Sequence, residues 1–130
     1  MSNNWVTADA TNCLAFDFGA TSVAATLPIT LGLDTVTGSN TTAGTEVTGG
    51  SYARQTFTPN TATAEQISNS AIINFTGMPA VAAPGVQGIT IRDSATTPVA
   101  KWRGPLAAAK VTNAGDTLSF AVGAVVASVV

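Results

Sequence analysis

The chain has 130 residues and a net charge of −2; apolar residues make up 45% of it and charged residues only 9%, against the quarter or so usual in soluble globular domains. Its five basic residues, Arg54, Arg92, Lys101, Arg103 and Lys110, are scattered singly, which leaves no electrostatic footprint for a phosphate backbone and argues against nucleic-acid binding. With no histidine and one cysteine, Cys13, the usual triad base, the favoured imidazole ligand and any thiolate metal cage are missing, so composition points to no cofactor.

A chain of this length buries about two-thirds of its extended surface on folding, enough for one core. Residues 1–130 are therefore expected to form a single domain, with 1–20 as an N-terminal arm. So few ions oblige the surface to be covered by Thr, Ser, Asn, Gly and Ala, whose side chains lose far less than ions do on leaving water. The N-terminus lacks the features of a secretory signal. No apolar run approaches the roughly 20 residues of a membrane helix; a soluble protein with no membrane role is expected.

Trp5 stands alone in the N-terminal arm. From Thr7 to Phe18 the spacing predicts a short helix, with Thr7 or Asp9 as cap and Gly19 as stop; an alternating strand from Leu14 to Phe18 is the competing assignment. Behind Pro28, Ile29, Leu31 and Leu33 alternate with Thr30, Gly32 and Asp34, the period-two pattern of a half-buried strand. Val36 to Gly50 reads as a loop too polar to hold a core. Further strands are expected over Tyr52 to Thr58, Ala71 to Phe75, Val86 to Asp93, Val99 to Leu106, Thr117 to Val122 and Gly123 to Val130. Ile29, Leu31, Ile73, Phe75, Ile89, Ile91, Leu118 and Phe120 form the expected core. Short strands punctuated by Gly, Pro and Asn predict a mainly β chain, a single antiparallel β-sandwich of about seven or eight strands with a short helical or irregular N-terminal segment.

Seven carboxylates, Asp9, Asp17, Asp34, Glu46, Glu65, Asp93 and Asp116, could in principle supply a glycosidase pair. Most of them sit beside Gly, Thr, Ser or Asn, where carboxylates form turns. Asn113 to Asp116 reads as such a turn, with Gly115 free to take a positive φ, and lacks the regular oxygens of a calcium loop. Gly49-Gly50 fits a sharp entry into a strand.

The stretch TEVTGGSYARQTF, from Thr45 to Phe57, with SNSAIINF, GITIRD and the ending KVTNAGDTLSFAVGAVVASV, resembles a family of small virion proteins of tailed bacteriophages, variously described as head decoration, minor capsid or tail-fibre-like proteins. Gly49, Gly50, Tyr52, Ala53, Arg54 and Gln55 match the family's Gly-Gly-x-Tyr-Ala-Arg stretch. Ile91 and Asp93 match its middle strand, and Gly115, Asp116 and Phe120 its late turn and the strand after it. The longer amphipathic helix of the family is here only the segment from Thr7 to Phe18.

The resemblance implies a non-enzymatic virion structural protein. The low-charge surface favours a capsid decoration protein on the outside of the head, partnered by the major capsid protein and by copies of itself. A tail-associated or tail-fibre-like role stands second and a carbohydrate-binding module third. Because Trp is enriched at binding hot spots and an apolar edge strand calls for a partner, the expected intersubunit contacts are Trp5 and Val125, Val126, Val129 and Val130.

Overall fold

The computed structural model describes residues 5–7, 10, 11, 18, 19 and 25–128. They form nine strands: β1 (Thr30–Val36), β2 (Thr45–Glu46), β3 (Gln55–Thr56), β4 (Gln66–Ser68), β5 (Ile73–Phe75), β6 (Val81–Arg92), β7 (Ala100–Thr112), β8 (Leu118–Phe120) and β9 (Val126–Ser128). All pairings are antiparallel. One five-stranded sheet runs β2-β1-β6-β7, with β3 sharing the β2 edge of β1; β4 and β9 make one small ladder, β5 and β8 another. The architecture is thus mainly β, but the expected two-sheet sandwich is corrected: the second layer is two separate two-stranded ladders that never join into a sheet.

The physical reason lies in strand length. β6 and β7 are 12 and 13 residues long, while β4, β5, β8 and β9 have three each, about half the usual strand length. Three-residue strands offer too few ladder bonds to build a broad second sheet. They are held instead by apolar packing and by side chains that bond to backbone.

Leu31 and Leu33 of β1, Ile89 and Ile91 of β6 and Trp102 of β7 point to one face of the main sheet. There they meet Val47, Phe57, Ile73, Phe75, Met78, Val86, Val125 and Ala127 in one buried cluster. Of the expected core residues, Ile29, Leu118 and Phe120 are only half-buried at its margin; Phe120 meets Phe75 edge-on at 6.2 Å. The stretch from Val36 to Gly50 is not coreless. It carries β2, and Val47 is buried with its N–H on the Leu33 carbonyl, 2.8 Å away.

At the N-terminus the Ala10 N–H donates to the Val6 carbonyl at 3.0 Å, one helical turn. The remainder of the predicted helix from Thr7 to Phe18 lies almost wholly outside the described residues. The predicted turn forms as expected, Gly115 at φ +88° and the Asp116 carboxylate accepting the Asn113 N–H at 2.8 Å. It does not close a hairpin, since β8 pairs with β5 rather than with β7.

Asn69, fully buried, ties the two small ladders together. Its amide donates to the carbonyls of Ala71 and Ala121, both at 2.8 Å, and its side-chain oxygen accepts the Val125 N–H at 2.9 Å. Asn69→Ala strands the Ala71 carbonyl and the Val125 N–H, each costing about 1–3 kcal/mol when buried without a partner, while the Ala121 carbonyl keeps the Ala124 N–H at 3.0 Å. Chemical denaturation should therefore show a loss of about 2 kcal/mol or more. A loss below about 1 kcal/mol would mean that solvent or rearranged backbone replaces Asn69.

Candidate functional site

The face of the main sheet opposite the core is where the chain gathers its ions. Cross-strand partners share a face, and the register sets Asp34 opposite Glu46, Thr30 opposite Arg92, Gly32 opposite Thr90, and Thr90 opposite Arg103. All three arginines of the sequence meet two carboxylates here. Arg54 grips Glu46 through two parallel bonds, Nε to Oε1 at 2.8 Å and Nη2 to Oε2 at 2.7 Å, the fork geometry that only arginine offers. Arg92 lies 3.9 Å from the same carboxylate. Gly32 makes room for the group: a Cβ there would sit 2.9 Å from both Arg92 and Glu46.

Tyr52 joins this cluster to the core. Its ring stacks on Phe75 at 5.9 Å, while its hydroxyl donates to Glu46 Oε1 at 3.0 Å and accepts the Leu33 N–H at 2.8 Å. Strands β2 and β3 both lie along one edge of β1 and leave a gap between them. The Tyr52 hydroxyl satisfies the Leu33 backbone group in that gap. Gly49 and Gly50, at φ +100° and +59°, turn the chain into the segment that delivers Tyr52 and Arg54.

The protonation equilibria follow from this geometry. Burial pushes the Asp34 carboxyl up, against the Thr90 hydroxyl that donates to it at 2.5 Å. Burial also acts to raise Glu46, but Arg54, Arg92 and Tyr52 together outweigh it and hold the carboxyl below its usual range. Burial, together with the Glu46 charge, raises the Tyr52 phenol far above its ordinary value. Asp34 and Glu46 are adjacent carboxylates, yet one is sealed from solvent and the other is clamped by arginine. Neither is placed to attack or protonate a substrate. Among the described residues no group of three or more His, Cys, Asp or Glu could hold a metal ion.

The exposed candidate is apolar. A groove of about 800 Å³ runs between the outer half of β7 and the β8 and β9 segments. Ile89, Trp102 and Val125, buried members of the core, contribute to its lining. Ala107, Ala108 and Val111 of β7, with Val126 of β9, line it as exposed residues. Gly104 shapes this wall. The Trp102 indole lies so close over it that a Cβ would come within 2.2 Å of the ring, so only glycine lets the indole fold back along its own strand.

The contact residues expected from sequence fall in different places. Trp5 is half-buried, packs against the core and bridges to Trp102 across the edge of β7, which makes it part of this chain's own fold. Val125 is 2% exposed and turned inward. Val126 is 40% exposed and lines the groove. Val129 and Val130 lie outside the described residues. The β9 strand that follows Val125 is paired with β4, so the edge expected to be open at the C-terminus is occupied on that side. The groove wall of β7 was missed because Ala107 to Ala109 carry no alternation of apolar and polar residues. A continuation of the Val99 to Leu106 strand through Lys110 and Val111 was the only available signal.

The family model described as Podophage GP4 fiber I protein gp80 matches residues 7–128. No curated protein matches the chain in sequence. The matched range takes in all nine strands, the arginine-carboxylate cluster and the groove.

The lowered Glu46 value carries a pH signature. A carboxyl whose value falls on folding stabilises the fold above its unfolded value, and that contribution fades as pH drops through the folded one. Glu46→Gln should therefore cost about 2 kcal/mol at pH 7, within the range for a partly exposed, bidentate pair. Its deficit should shrink steadily as pH falls below the ordinary glutamate value of 4.5. Asp34, raised by burial, runs in the opposite sense, so the parent-minus-variant difference is the quantity to follow. A deficit independent of pH from 7 down to about 2 would show that Glu46 acts by shape and not by charge.

Proposed function

The chain belongs to the Podophage GP4 fiber I protein gp80 family, and on that premise we propose that it is a subunit associated with the tail fibres of the bacteriophage particle. It is a non-enzymatic structural protein, and its work is to pack against neighbouring subunits. The observation that carries the tail assignment is the family description itself, across a match of 7–128.

The internal chemistry agrees with a packing role. Five of the chain's ions are gathered on one face of the sheet, where Arg54 and Arg92 pair with Glu46. The groove presents alkyl surface and few charges. Decoration of the head, the reading that composition favours, requires the major capsid protein as partner and draws no support from the family match. A low-charge exterior serves either location.

The test is positional. Particles carrying this chain can be disrupted, heads and tails separated, and each fraction assayed with an antibody against it, alongside labelling of intact particles for electron microscopy. The expected result is enrichment with tails and label confined to the tail region. Label spread over the head surface, with the chain retained by tail-free heads, would restore the decoration reading.

A further inference from the structure

The inner half of the ionic face holds polar atoms that its own partners do not satisfy. Asp34 Oδ1, Arg92 Nη1 and Arg103 Nε are buried without a hydrogen-bond partner among the described residues. The remaining atoms of the same side chains are held in place. Asp34 Oδ2 accepts the Thr90 hydroxyl at 2.5 Å, Arg92 Nη2 lies 3.9 Å from Glu46, and Arg103 Nη1 donates to the Ser39 carbonyl at 2.9 Å. Thr90 is the central residue, opposite Gly32 on β1 and opposite Arg103 on β7. The three unsatisfied atoms thus belong to side chains grouped round one buried hydroxyl.

Backbone closes in on this group. A Cβ on Gly32 would lie 2.9 Å from Arg92 Nη1, one on Gly38 2.7 Å from Arg103 Cδ, and one on Gly44 2.9 Å from Asp34 Oδ2. Main chain so close to all three side chains requires any occupant to be a single atom and not a polyatomic oxyanion. The charges that face Asp34 are Glu46 from β2, Arg92 from β6 and Arg103 from β7. Arg54 and Tyr52 stand beyond Glu46, and the covering segment 37–44 carries no charged residue. Arg54 and Glu46 neutralise each other. That leaves two guanidiniums against one carboxylate, an excess of positive charge where water is largely excluded and an unpaired ion is costly.

The donors and acceptors decide what matches. Arg92 and Arg103 can only donate, whereas Asp34 Oδ1 accepts when the carboxyl is ionised and donates when it carries a proton. Burial already favours the protonated form. With a proton on Oδ1 all three unsatisfied atoms are donors, and their common counterpart is an anion. Proton and anion arriving together leave the net charge of the cluster unchanged.

We propose that Arg92, Arg103 and Asp34 form a site for one halide ion, of chloride's size, taken up together with a proton on Asp34 Oδ1. The site does not depend on the tail-fibre reading, so either can fail alone.

Thermal unfolding of the purified chain, titrated with sodium chloride or sodium bromide, should show a saturating rise of about 3 °C or more that sodium sulfate at equal ionic strength does not reproduce. Because anion and proton binding are reciprocal, the apparent chloride dissociation constant should fall about threefold or more between about pH 7 and about pH 5. Glu46, held below its usual range, stays ionised through that window. Asp34→Asn supplies a permanent N–H donor in place of the Oδ1 proton and keeps an acceptor for Thr90, so it should bind chloride without pH dependence. Arg103→Lys has no donor at the Nε position and should lose the saturating response.

Crystals of the parent chain soaked in sodium bromide need no variant: an anomalous peak within hydrogen-bonding reach of Arg92 Nη1 and Arg103 Nε is expected. Stabilisation by chloride that sulfate matches, so that ionic strength alone counts, overturns the inference. So does a site without bromide in those crystals, or a chloride affinity in Asp34→Asn that follows pH as the parent's does.

Discussion

The structure depends on the Glu46 carboxylate. Strands β2 and β3 have two residues each, and a ladder that short cannot hold itself to β1 against the entropy of the loops around it. What fixes them is the set of side chains that converge on Glu46. Arg54, just before β3, binds it through two bonds, Tyr52 through one, and Arg92 reaches it from β6. The two short strands are thereby pinned to the outer edge of β1 and tied across it to β6. Once they are pinned, the Tyr52 ring lies on Phe75 and Val47 is drawn into the core, so the polar cluster and the apolar core are built by the same residues.

Elsewhere too, side chains bonding to backbone stand in for ladder bonds that short strands cannot supply. Asn69 joins the two small ladders. The Asp93 carboxylate accepts the N–H groups of Ala95 and Val99 and so closes the connection from β6 to β7. Thr112 holds the Pro79 carbonyl at 2.8 Å. A second layer assembled in this way closes the core near β1 and β5 but leaves a groove toward the outer half of β7, where no further strand lies alongside among the described residues. The groove thus follows from having two fragments where a sandwich has a full second sheet.

Strands β1, β5 and β6 were legible in the sequence because their side chains alternate between two different environments. Leu31 and Leu33, Ile89 and Ile91, and Ile73 and Phe75 each mark one face, and that face proved to be the core. The alternation Thr30, Gly32, Asp34 looked like a solvated face and is instead a buried ionic one; a small residue and a carboxylate suit either, and only the three arginines that converge there decide. Strands β2 and β4 were invisible, since Thr45–Glu46 holds no apolar residue and Gln66–Ser68 a single one. The Gly-Gly-x-Tyr-Ala-Arg stretch could be recognised as a pattern, but not as a clasp. Its partner Glu46 sits in a segment whose Thr and Gly content reads as loop, and no spacing along the chain shows that Tyr52 will bond the backbone of Leu33. For the candidate site, Val126 could be read from sequence, whereas Val125 could not be told from it by hydrophobicity. Adjacent residues on a strand face opposite ways, and the phase of a three-residue strand is set by its partner.

The distribution of charge connects the interior to the exterior. A chain with so few ions has gathered three cations and two anions on one sheet face, where Arg54 and Arg92 meet Glu46 and the Thr90 hydroxyl meets Asp34, while Asp34 Oδ1, Arg92 Nη1 and Arg103 Nε are buried without a hydrogen-bond partner among the described residues. Their water is largely lost on folding, so a partner binding elsewhere does not have to strip it from them. At the groove this leaves one lysine and one aspartate among alkyl and hydroxyl groups, which shed water at little cost. A subunit that must pack repeatedly into a larger particle is served by a surface of that kind. Contact area can then form without breaking the hydration of many ions, and the few charges that remain act to set the orientation in which surfaces meet.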